Sequence, residues 1–173
     1  MSPRRALAVL VAVVMLLTLG GPAVAQSPIR IGEINSFSGI GAPFTGPYRQ
    51  AIEMAVEEIN AKGGVLGRKI EVLFRDDKGQ PAEAVKHAQE LVASEKVSLI
   101  AGTFLSNVGL AVSDWAKQNK TLFVAAEPLT EAITWAKGHD HVFRVRPNTY
   151  EQGRMLAEKA GKLKYQKLSL IHI

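Results

Sequence analysis

Chemistry-bearing side chains gather in short stretches that follow apolar, strand-like runs. The first is Gly102-Thr103-Phe104-Leu105-Ser106-Asn107, between an apolar run and a helical pattern. Backbone N–H groups at a helix start attract an anion, and Ser106 adds a hydroxyl that can donate to a carboxylate. Ser106 or Asn107 would also serve as a helix cap, and the two roles are compatible. Phe104 in the same loop offers an apolar surface. No G-x-S-x-G elbow surrounds Ser106, so a nucleophilic serine is not expected. A second stretch, Ala126-Glu127-Pro128-Leu129-Thr130, also follows a strand. Glu127 there can take an ammonium or hydroxyl group, or stand as an exposed acid where Pro128 and Thr130 start a helix.

Other patterns point to chemistry less well. Gly39-Ile40-Gly41 with Gly46, and Asp76 closing the next strand, resembles a dinucleotide fingerprint. The third glycine comes two positions late, and Pro43 and Pro47 interrupt the turn, so no cofactor is expected. His139-Asp140-His141 lacks cysteine or a nearby glutamate and makes a poor metal set; it reads as a turn entering a strand. Asp76 and Asp77, beside Arg75, read as a strand-end turn with local pairing.

The elements that position these stretches alternate. Strands are expected at Ile29–Ile34, Lys69–Arg75, Val97–Ala101, Thr121–Ala125 and His141–Arg146. Between them run helical patterns: Tyr48, Ile52, Ala55, Val56 and Ile59; then Val85, Ala88 and Val92; then Val108, Ala111, Val112 and Trp115. Asn35–Gly46 reads as a loop, with Pro47 in the first turn of the helix that Lys62-Gly63-Gly64 ends. Leu129–Lys137 is expected as a short helix, Tyr150–Lys164 as a longer one and Leu168–Ile173 as a strand. The alternation predicts an α/β fold, a doubly wound parallel sheet with helices on both faces. Ligands of such sheets sit at the carboxyl ends of the strands, where the strand order reverses. Leu168–Ile173 ends the sequence inside a largely apolar strand, which implies a truncated piece of a longer protein.

Composition narrows the class. Of 173 residues, 47% are hydrophobic and 21% charged, the mixture of a globular protein. Residues 1–25 read as a signal peptide: Arg4 and Arg5, an apolar run from Ala6 to Leu19, then Ala23-Val24-Ala25 before Gln26. The run is too short to span a bilayer. The arginine pair leaves the export route open. The net charge of +5 includes these two arginines, so +3 remains beyond them. That charge is scattered among acids, and no nucleic-acid partner is expected. With no cysteine, neither a disulfide nor a lipid anchor is available, so the expected location is the periplasm, in soluble form.

Several stretches resemble the Leu/Ile/Val-type periplasmic binding proteins of ABC transporters. They are Ile31-Gly32 entering Ser38-Gly39, the run from Ala55 to Gly64 with Asn60-Ala61-Lys62-Gly63-Gly64, and Gly67-Arg68-Lys69-Ile70. Asp76-Asp77, Gly102 with Ser106, and Arg144 with Pro147 follow. The resemblance implies two α/β lobes closing over one ligand. Residues 27–144 would form the first lobe, and 145–173 the hinge crossing and the start of an incomplete second lobe. It implies ligand contacts at Phe44, Phe104, Ser106, Asn107, Glu127 and Thr130. Where amino-acid binders of the family carry a small residue and a threonine, this chain has Glu127 and Leu129, with Thr130 adjacent. The implied ligand is therefore an amino acid or related carboxylate, aromatic acids included. The implied partners are permease subunits of an ABC importer, with the intact protein a monomer. A sensory ectodomain uses the same fold and is the alternative; a nucleotide-dependent enzyme is a further one, which the export signal opposes.

Overall fold

The computed structural model describes residues 26–163. Five parallel strands form one sheet in the order β2-β1-β3-β4-β5. They are β1 (Ile29–Asn35), β2 (Ile70–Asp76), β3 (Leu99–Gly102), β4 (Phe123–Ala125) and β5 (Val142–Arg144). The helices are α1 (Ala42–Ala61), α2 (Pro81–Ala93), α3 (Ser106–Asn119) and α4 (Thr149–Lys162), with 3₁₀ turns at Gly39–Gly41 and Glu131–Ile133. The expected α/β architecture is therefore the one observed. The order reverses between β1 and β3, which pair from Ile31 opposite Leu99 to Ile34 opposite Gly102.

The two faces of the sheet differ. Ile34, Ile100 and Phe123 are fully buried in one apolar cluster with Ala88 and Leu91 of α2 and Val108, Val112 and Ala116 of α3. Burying each such large side chain stabilises the fold by about 1.5–3 kcal/mol. A side chain at Gly32 would strike Ile100 and Leu91, so glycine lets α2 approach β1 closely. On the opposite face α1 buries only Thr45 completely, and the strand positions beneath it include the buried polar residues Glu33 and Asn35.

Three expectations need correction. The helix after β1 starts at Ala42, so Phe44 is helical and Pro47 lies inside the helix. Pro43 suits its first turn. Pro47 removes one N–H close enough to the start that a single backbone bond is lost. The short helix expected at Leu129–Lys137 is only the 3₁₀ turn Glu131–Ile133. The turn at Asp76-Asp77 is present, but its bonds are less local than expected. Lys78 N–H donates to Asp76, while buried Asp77 accepts from Gly79 N–H and, at 2.6 Å, from the Ser36 hydroxyl. Arg75 pairs instead with Glu90 and Glu95. His139 lies in a turn, its Nε2 3.0 Å from the Ser113 hydroxyl. α4 opens on a capping box between Asn148 and Glu151 and buries no residue. The expected strand Leu168–Ile173 and the signal segment lie outside the described residues.

Candidate ligand-binding site

The loops leaving β1, β3 and β4 are bound to one another. Thr103 N–H donates to Ile34 O at 2.6 Å, Ala126 N–H to Gly102 O at 2.9 Å, and Glu127 N–H to Thr103 O at 3.3 Å. Gly102 and Thr103 both have positive φ, 106° and 62°. A β-branched residue held there is strained. Any side chain at Gly102 would collide with Glu33 Oε1 and the Ile34 carbonyl.

Ser106 is the first residue of α3. Leu105 holds the cap position, and no side chain caps the helix. Neither Ser106 nor Asn107 is thus spent as a cap, and the first-turn N–H groups have no side-chain acceptor. The Ser106 hydroxyl oxygen accepts from Thr130 N–H at 3.2 Å, which leaves its own proton free to donate. Asn107 is exposed beside it. Phe44 of α1, 61% exposed, stacks on Phe104 with ring centres 5.4 Å apart and planes 17° apart. Residues 60 positions apart thus form one aromatic ledge. Glu127 is half-buried, and its Oε2 accepts from Asn35 Nδ2 at 2.9 Å. The Thr130 hydroxyl accepts from Ala132 N–H at 3.3 Å. Direct contacts therefore join Phe44 to Phe104 and Ser106 to Thr130, and tie Glu127 to β1 through Asn35.

Glu33 was not singled out by its sequence. It is 1% exposed, and its buried Oε1 has no hydrogen-bond partner. Burial, with the nearby Glu127 charge, pushes its pKa up to about 8 despite the bonds from Tyr48 and Asn35. Glu33 is therefore largely neutral at pH 7. Burial and the Glu33 carboxyl push the Tyr48 phenol up as well. The available signal was an acid at an inward position of a strand otherwise rich in Ile.

A helix start that favours anions, an aromatic ledge and a half-buried acid stand at the strand ends near the switch point of a parallel sheet, the place where sheets of this kind receive their ligands. The periplasmic binding protein family model matches residues 28–172. The chain belongs to that family. It is 31% identical to a Leu/Ile/Val-binding protein homologue of Brucella melitensis over 90% of this chain and 42% of that protein. Among solved structures it resembles the substrate binding protein LivJ of Streptococcus pneumoniae in complex with isoleucine (TM-score 0.65, 30% identity, 70% of this chain and 34% of that one). It also resembles a solute binding protein of Rhodopseudomonas palustris in complex with 3,4-dihydroxybenzoic acid (TM-score 0.71, 25% identity, 80% of this chain and 37% of that one). The chain thus spans less than half the length of these relatives. Among the described residues, no helix is long and apolar enough to cross a membrane.

Proposed function

We propose that this chain supplies the first lobe of an extracytoplasmic solute-binding protein that captures a small organic acid and delivers it to an ABC importer. The observation that carries this reading is the uncapped start of α3 at Ser106, two residues after Phe104 of the Phe44–Phe104 ledge. The first-turn N–H groups and the Ser106 hydroxyl take the ligand carboxylate. Phe44 and Phe104 hold its apolar body. Asn107 and Thr130 border the site, and Glu127 takes an ammonium or hydroxyl group at the far end. Capture is binding without catalysis: ligand favours the closed arrangement of two lobes, which the permease recognises. Residues 1–25 direct export and are removed before Gln26, the hinge crossing begins after Arg144, and the protein works as a periplasmic monomer.

Calorimetric titration of the full-length, two-lobed protein with L-leucine, L-isoleucine and 3,4-dihydroxybenzoic acid tests the reading. Binding of at least one acid, lost when its carboxylate is converted to an amide, is the expected result. Equal affinity for acid and amide would overturn the assignment of the α3 start.

A further inference from the structure

The segment leaving β5 grips the loop after β4 by three successive carbonyl groups. Arg144 Nη1 donates to Pro128 O at 2.6 Å, and Nη2 donates to Thr130 O. Between them, Leu129 O accepts from Thr149 N–H at 2.8 Å and from the Thr149 hydroxyl at 3.1 Å. The planar fork of a guanidinium suits two acceptors at a fixed separation, a geometry that an ammonium cannot reproduce. Arg144 Nε is buried without a partner, so the fork is held even at the cost of an unused donor.

Fixing these carbonyls fixes the peptide planes around Thr130. Its N–H is then aimed at the Ser106 hydroxyl oxygen, 3.2 Å away. That bond occupies an acceptor site on Ser106 and directs its O–H elsewhere. A continuous line of bonds thus runs from Arg144 through Thr130 to Ser106, from the segment expected to cross between lobes to the start of α3.

We propose that Arg144 is a positioning residue for ligand capture. Through the backbone of residues 128–130 it sets Thr130 and Ser106 from the crossing segment, with Thr149 as a second fastening; this rests on the ligand-site reading above. Coupling of this kind is reciprocal. Ligand held at Ser106 resists reorientation of the crossing segment, and a shift of that segment changes the affinity at Ser106.

The test compares the full chain with Arg144→Met, Arg144→Lys and Thr149→Val by two measurements. One is backbone amide hydrogen exchange at Thr130, with Ile100 in the core as the reference. The other is calorimetric titration with L-leucine, L-isoleucine and 3,4-dihydroxybenzoic acid. Arg144→Met is expected to speed Thr130 exchange relative to Ile100 and to weaken binding of the accepted probe about tenfold or more. Arg144→Lys restores part of both effects, and Thr149→Val shows a smaller loss. Should Arg144→Met fail to fold, the same two readouts in Arg144→Lys and Thr149→Val decide. A variant with a lowered melting temperature but wild-type Thr130 exchange and affinity would make Arg144 a stabilising residue only and overturn the proposal. If wild type binds none of the probes, the ligand class proposed above fails, while Thr130 exchange still decides the positioning role.

Discussion

At the scale of single residues, Glu33 carries the sharpest consequence. Its folded pKa of about 8 stands above the ordinary 4.5 because burial penalises the charged form. Between these values the folded chain holds a proton that the unfolded chain has released. Stability is therefore greatest below the lower value and falls as pH rises through the window, by a few kcal/mol in all. Glu33→Gln should flatten that slope, read as melting temperature against pH from about 4 to 9. An unchanged slope would mean that Glu33 is ionised in the folded state. Ser106→Ala tests the site: losing one hydrogen bond to a charged ligand group should cost about 1.5–3 kcal/mol of binding. The melting temperature without ligand should fall only modestly, since the bond from Thr130 N–H is lost with the hydroxyl. Affinity equal to wild type would leave Ser106 as support for Thr130 alone. Ser106 was legible from its place after an apolar run. Glu33 was hidden because its meaning depends on Tyr48 and Glu127, which reach it only through folding.

At the scale of elements, strands β1 to β5 were legible because runs such as Ile29–Ile34 and Val97–Ala101 are apolar and bounded by loop residues. The start of α1 was not. Two prolines and several glycines resemble a loop, yet Pro43 fits a first helical turn and Pro47 costs only one bond. The missing helix at Leu129–Lys137 has a different cause. Arg144 and Thr149 hold carbonyls 128–130 in a loop, and only the 3₁₀ turn at Glu131–Ile133 follows. The turn between β3 and α3 tolerates little change. Gly102→Ala combines a φ of 106° with collisions against Glu33 and the Ile34 carbonyl. It should destabilise by about 2–4 kcal/mol or abolish folding, measured by urea unfolding. A loss under about 0.5 kcal/mol would show that β1 and β3 can part at no cost.

At the scale of the whole molecule, the alternation of strands and helices was legible from β1 to β4, while the asymmetry of its two faces was not. Periodicity marks which side of a helix is apolar; it does not say which helix covers which face. Here α2 and α3 share one side and enclose the apolar cluster, and α1 alone lies over the polar residues of the other. Ligand binding should raise the melting temperature by mass action, by an amount that grows with the logarithm of ligand concentration. Differential scanning fluorimetry with each acid reads this, and a flat response would deny binding to the folded state. The strand order has a consequence in time. β1 is made first, yet it lies between β2 and β3, and its Ile31 finds Leu99 only after α1, β2 and α2 have been synthesised. The apolar cluster then still lacks Val108, Val112 and Ala116 until α3 follows. A nascent chain therefore lacks this apolar cluster until α3 has been made, and β1 waits unpaired on its β3 side through all the synthesis before it.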